Sequence, residues 1–353
     1  MALAILTIFA ICMSLSFMEE RMKARDVFLV MMLIGIVMII IAGTRGPEDT
    51  PDSQEYENTF NSIRSLDGSK INMEPSFIYI SYFLNTLGLG LNALFFTYAF
   101  LSIPIRLGAI WKMSKLPLLT LSIYISFYYQ LHDLVQIRCA VASSLFLFAV
   151  YYCAENKRLT AMYFILVGAI FHYSALAGFA IFFFSNKELN IWWQTILYLI
   201  VPVCFIFYFA GLDLTYLVPD QLGGDRLETY RSLKEWGQEG DLEGVAAHKN
   251  FLILINIVMY YGALYYHKVL TQNYKYVPIL LKILAFAFFC RLTLDGISSV
   301  LASRLFEYFD VVSIFLWTAV IYAFIPVYIG KIATNIVSTG RVLFSIFIYT
   351  LHL

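Results

Sequence analysis

The sequence has little charge. Asp, Glu, Lys and Arg make up 14% of its 353 residues, against about 25% in an ordinary soluble domain. The charge present cancels, 24 basic residues against 24 acidic, so no overall field favours nucleic acid or another highly charged partner. Cysteine is sparse: Cys12, Cys139, Cys153, Cys204 and Cys290 lie inside apolar runs without metal-ligand spacing and read as small packing residues. There is no Walker A sequence, no Rossmann glycine fingerprint, no HExxH and no GxSxG, so the common soluble-enzyme chemistries have no carrier here. No metal and no cofactor is expected. Short alternating segments are also missing, which argues against a strand-rich outer-membrane barrel. No internal repeat is visible, which weakens transporter folds built from duplicated halves.

Apolar residues fill the space that charge leaves. They make up 60% of the chain, with a mean hydropathy of +0.74. They gather in blocks near 1–18, 27–43, 76–105, 117–135, 137–154, 159–185, 190–211, 250–267, 277–300, 305–329 and 341–353. Crossing a hydrocarbon core takes about 20 apolar residues as helix. Lipid gives the backbone no hydrogen-bond partner, so such blocks must be helical. The expectation is an all-α, polytopic transmembrane bundle of about 10–12 spans forming one integral membrane domain over 1–353. Residues 1–18 lack a basic start and a small-residue cleavage site and read as a retained first span.

Two blocks are irregular. "NTLGLGLN" breaks 76–105 and suggests a re-entrant segment before a full span. The block 159–185 is too long for one simple span and carries His172 and Ser174 at its middle, which reads as two helical arms meeting at "FHYS". Lys and Arg in short loops set the orientation. Arg21, Lys23 and Arg25; Arg106, Lys112 and Lys115; Lys157 and Arg158; and Lys268 with Lys275 mark the inner side. The segments 44–75 and 212–248 then both face the outer side. The longer one holds eight acidic residues against three basic. Its "DRLETYRSLKEW" spaces Leu227, Tyr230 and Leu233 at helical intervals before Trp236, as in an amphipathic helix on the membrane surface, over a cavity, or packed on its neighbours.

Ionisable groups in or beside spans are expensive and therefore informative. Arg45 follows the second span. Asp52, Tyr56 and Phe60 are four apart, on one face if that loop is helical. Glu74 precedes Pro75. His132, Asp133 and Arg138 read as an outer turn between two spans, and His172 as the tip of the broken block. Arg291 with Asp295 suits a self-satisfied ion pair on one helix. Arg304 with Glu307 suits the same, or an arginine reaching the interface. His172 alone suits a hydrogen-bonded core histidine, Asp133 a turn cap, and Arg138 an interfacial anchor. Together, several arginines gathered at the outer side with few compensating acids suggest a site for an anion.

The order of these residues resembles the EpsG-like and Wzy-type polymerases of bacterial surface polysaccharides. The series is "TR" (Thr44, Arg45), "DSQEYENTF" (Asp52, Tyr56, Phe60), "EPSF" (Glu74, Phe77), "QIRCAVASSLFLFAVYY" (Arg138), "FHYSAL" (His172, Ser174) and "SRLFEYF" (Arg304, Tyr308). It covers about residues 40 to 310, most of the chain. "GPEDTP" stands where the family pattern is often glycine-rich, so Asp49 competes with Asp52. Arg226 and Gly237 match a loop spacing found in some Wzy proteins.

The resemblance implies a bacterial inner-membrane glycosyltransferase with its active site facing the periplasm. It would move a glycan chain from undecaprenyl diphosphate onto the non-reducing end of another lipid-linked repeat unit. Arg138 and Arg304, supported by Arg45 and Arg291, would stabilise the departing diphosphate. His172, Asp52 and Glu74 compete as general base. Tyr56, Asp133 and Tyr308 would bind substrate. The implied partners are the lipid-linked donor and acceptor, the bilayer and a chain-length-regulating co-polymerase. An O-antigen ligase and a lipid-linked oligosaccharide flippase are the rival readings.

Overall fold

The computed structural model describes residues 1–50, 52–65, 73–210, 243–295 and 299–349. Among the described residues every regular element is helical. In chain order these are α1 (Ala2–Ser16), α2 (Ala24–Gly43), α3 (Ser53–Ser65), α4 (Pro75–Thr86), α5 (Leu91–Met113), α6 (Pro117–Tyr124), α7 (Ile137–Ala154) and α8 (Arg158–Phe171). There follow α9 (Ile191–Phe209), α10 (Glu243–Tyr265), α11 (His267–Asn273), α12 (Val277–Leu294), α13 (Ser299–Asp310), α14 (Ser313–Val320) and α15 (Val327–Tyr349). The stretch Leu227–Trp236 and the Arg226–Gly237 spacing lie outside the described residues.

Among the described residues five helices, α2, α5, α7, α9 and α12, are long and apolar enough to cross a membrane. A sixth crossing is available to Ser299–Asp310 with Ser313–Ala323, a pair bent by 50°. The larger number of spans expected from the apolar blocks is not met by single long helices. Several blocks resolve instead into shorter pieces, Ala2–Ser16, Arg158–Phe171, Tyr173–Phe183 and Ile253–Tyr265. The 76–105 block breaks where the glycines stand: α4 has only 12 residues, and Gly88 turns the chain with a φ of +71°, a region open to glycine.

The chain divides into two compact units, Met1–Phe182 with Phe324–Leu353, and Phe183–Ala323. In the first, α7 is the central helix; nearly all of it is buried between α5 and α8. It earns that place by composition, since "CAVASS" offers small residues that let neighbouring backbones approach. α2 packs on α5 and leaves Phe28, Leu33, Ile36 and Ile40 exposed along one face, a surface suited only to lipid. In the second unit α12 is the buried centre, packed against α9 and α13.

Two expectations are corrected. Arg106 does not mark an inner loop: it lies within α5 with no exposed surface. The window around it is apolar enough for one helix to run through, and its Nη2 donates inside to the Ala140 carbonyl and Ser143 Oγ, each at 2.9 Å, while Nε and Nη1 have no partner among the described residues. His132 and Asp133 do not form an outer turn. They sit fully buried in a π-helix, Ile125–Val135, that continues α6 directly. Such wide turns are rare and collect where function or packing demands them.

Candidate active site

The site is built on α3. This helix is polar in composition, yet Tyr56, Phe60 and Ile63 recur at helical spacing and all three are buried. They enter one apolar cluster with Phe77 and Leu84 of α4, Leu94, Phe95 and Tyr98 of α5, and Ile137, Val141 and Leu145 of α7. Burial of that stripe holds α3 down. Asn85 Nδ2 fixes its middle by donating to the Phe60 carbonyl at 3.1 Å. Asp52 precedes the helix, and its carbonyl accepts from Tyr56 N at 3.1 Å. Asp49 instead closes the preceding turn, accepting from Gly46 N at 2.6 Å.

Glu74 stands immediately before α4, whose first residue, Pro75, is preset for a helix start. The Glu74 side chain does not cap α4. It reaches across to α7 and α8. One carboxylate oxygen pairs with Arg138 at the start of α7; the other lies 2.9 Å from His172 Nδ1. His172 occupies the break between α8 and the 3₁₀-helix Tyr173–Phe183, with an extended backbone at φ −154°. α8 comes close enough because Gly168 has no side chain. A Cβ there would stand 3.3 Å from Ala175 Cβ and 3.6 Å from the Ala142 carbonyl.

Burial pushes the Glu74 carboxyl up, but the His172 hydrogen bond and the Arg138 charge outweigh it and hold it at about 2. Glu74 is therefore ionised at neutral pH and can only accept. The proton between Glu74 and His172 must sit on Nδ1, which leaves Nε2 as the ring nitrogen not engaged by Glu74. Arg138 also hydrogen-bonds the Tyr56 hydroxyl and faces the Tyr56 and Phe77 rings at 5.6 and 5.9 Å. Burial raises the Tyr56 hydroxyl to about 12, so it stays protonated as a donor.

Arg45 flanks this group. Asn92 Nδ2 holds the end of α2 by donating to the Gly43 and Arg45 carbonyls, both at 2.9 Å. The Arg45 guanidinium lies 3.6 Å above the Phe95 ring and is almost wholly buried. Its Nη1 donates to the Ala42 carbonyl, while Nε and Nη2 have no partner among the described residues. Burial lowers it to about 10, still cationic at neutral pH, with Tyr56 among the groups that favour its charge.

A family model of the EpsG family matches residues 3–353. The chain belongs to the EpsG family. No curated protein and no solved structure matches it. This EpsG-family chain is a multi-pass membrane protein by the length and composition of its helices.

The structure thus brings Glu74, Arg138, His172 and Tyr56 together, with Arg45 beside them and Asp52 at the start of the same α3. Asp133 is elsewhere in the first unit: buried in the π-helix, it is bound by the Tyr124 and Ser102 hydroxyls. In the second unit Arg291 pairs with Asp295 one turn on, the pairing that their spacing suggested. Arg304 is exposed on α13, and Tyr308 is fully buried with its ring against Phe309. Sequence reasoning missed the second polar centre of Arg106, Asp133, Ser102, Tyr124 and the His132–Ser143 contact at 3.3 Å. The signal was present: an arginine at the middle of an apolar run that is helix throughout. Among the described residues no group of three or more His, Cys, Asp and Glu is placed to hold a metal.

Proposed function

We propose that this chain is a bacterial inner-membrane glycosyltransferase of surface-polysaccharide synthesis. It joins repeat units carried on undecaprenyl diphosphate, with its site open to the periplasm. The observation that carries the reading is the Glu74 carboxylate bridging Arg138 and His172. Three residues of the family-like series, far apart in sequence, meet there as a cation, an acceptor nitrogen and the anion that orients both.

In this reading a sugar hydroxyl of the acceptor unit attacks the anomeric carbon of the donor chain. The new C–O bond forms as the bond from that carbon to the diphosphate breaks. The hydroxyl proton passes to His172 Nε2, and the electron pair of the broken bond leaves on the diphosphate. Arg138 and Arg45 stabilise the growing negative charge, and the Tyr56 hydroxyl donates to it. His172 is preferred over Glu74 as base, because a carboxylate held at about 2 by its partners binds a proton poorly. Arg304, exposed on α13, is proposed as a further cation for substrate on the second unit's own surface.

The test is the product ladder. Deleting the gene in its host should leave core plus a single repeat unit in place of the long-chain ladder. Loss of every repeat would indicate a flippase or ligase, and an unchanged ladder would refute the reading.

A further inference from the structure

A pocket of about 290 Å³ lies at the opposite end of α2 and α5 from the Glu74 site. It is walled by the start of α2 (Ala24, Val27), the end of α5 (Trp111) and the turn into α6. α2 has 20 residues, about 30 Å at 1.5 Å per residue, which is the thickness of a hydrocarbon core. The pocket therefore stands at headgroup depth on the membrane face away from Glu74. Its volume is near the lower limit of about 300 Å³ for small-ligand sites, enough for a headgroup and not for a whole lipid.

The lining carries both signs of charge. Glu19 is buried, and its two oxygens accept from Leu118 N at 2.8 Å and Leu119 N at 3.3 Å, which fixes the carboxylate against the start of α6. Glu20 pairs with Lys331 at 3.1 Å. Lys115 is exposed and has no ion-pair partner among the described residues. Trp111 forms the aromatic wall, its ring edge-on to Phe28 at 5.3 Å. Phe28 begins the exposed apolar face of α2 that continues through Leu33 and Ile36. A ligand suited to this lining has a cation for the two carboxylates, an anion for Lys115 and acyl chains for α2.

We propose that this pocket binds the headgroup of a phospholipid carrying a primary ammonium. The ammonium sits between Glu19 and Glu20, the phosphate meets Lys115, and the chains run along α2. Trp111 shields the ion pairs from water at the interface, where such rings settle. A trimethylated headgroup has no N–H to donate to the carboxylates, and an anionic glycerol headgroup brings no cation to them.

The full chain, purified in mild detergent, is incubated with phosphatidylethanolamine, phosphatidylcholine or phosphatidylglycerol, and retained lipid is read by native mass spectrometry. One phosphatidylethanolamine should be retained in preference to the other two. Lys115→Ala and Glu20→Gln should each weaken that retention about tenfold, the scale of one charged hydrogen bond. In lipid-free detergent Lys115→Ala leaves the melting temperature unchanged, while Glu20→Gln lowers it because it also unpairs the buried Lys331. Soluble phosphoethanolamine should compete for the site, which assigns recognition to the headgroup. Equal retention of all three lipids, preference for phosphatidylglycerol, or unchanged retention by both variants would overturn the proposal. None of these results depends on polymerase activity.

Discussion

The Glu74 carboxylate divides its two oxygens between Arg138 and His172. Its partners come from the first turn of α7 and the break after α8, so one buried acid ties three helices at the point where chemistry is proposed. An acid so placed does two jobs: it neutralises a buried guanidinium, and it fixes which histidine nitrogen is free.

Arg138 and Arg304 separate structure from function. Arg138→Ala strips a buried carboxylate of its partner and should destabilise the protein by about 3–5 kcal/mol as well as abolish the ladder. Arg304 is exposed, so Arg304→Ala should leave thermal stability within about 0.5 kcal/mol while abolishing the ladder. Melting of the purified variants, beside blots of the polysaccharide, checks both. A wild-type ladder from Arg138→Ala removes that arginine from the anion site, and one from Arg304→Ala removes Arg304 from substrate binding.

His172→Gln keeps a hydrogen-bond donor for Glu74 but cannot take up a proton. Transfer between purified lipid-linked repeat units should fall about 10²–10⁴-fold, the usual worth of a general base. Donor binding should change little. A rate within twofold of the parent would show that His172 is not the base.

Stability should depend on pH in opposite senses at the two buried acids outside the spans. Glu74 is held at about 2 against an ordinary 4.5, so its contribution, about 3 kcal/mol, is present above 4.5 and lost as pH falls toward 2. Burial pushes Glu19 the other way, to about 7. Its contribution is fully present below 4.5 and is lost as pH rises through 7. Melting curves across this range should flatten at the acid end in Glu74→Gln and near neutrality in Glu19→Gln. Curves identical to the parent's would contradict both assignments.

The second polar centre should behave as a folding device. Asp133→Ala removes the acid of this centre and strands the Ser102 and Tyr124 hydroxyls that bind it. A loss of about 3–5 kcal/mol is expected. Pairing it with Arg106→Met should recover part of that loss, since no buried charge is then left uncompensated. Denaturation of the single and double variants measures the coupling; strict additivity would mean that the two residues do not interact.

Much of this was legible in the chain. The break at "FHYS" followed from a block too long for one span with a histidine and serine at its centre, and the structure interrupts α8 at His172. The face shared by Tyr56 and Phe60 followed from their spacing, and burial of both bears it out. Arg106 was misread because a positive residue amid apolar ones looks like a loop marker to a rule based on charge alone. Only neighbours from α7 show how that charge is housed. Asp133 was misread in the same way, since its hydroxyl partners lie on other segments.

The sequence by itself determined the solvent and the secondary structure. Runs of apolar residues leave lipid as the only surroundings in which the exposed faces are stable, and lipid leaves the helix as the main backbone solution. It also named the charged minority worth attention. What only the tertiary structure decided is which of those charges meet. Pairings such as Glu74 with Arg138 and His172 span 64 and 98 residues of chain, and no local pattern encodes them. They exist because α3, α4, α7 and α8 bury their apolar faces together, and packing over those faces fixes the polar atoms within hydrogen-bond reach.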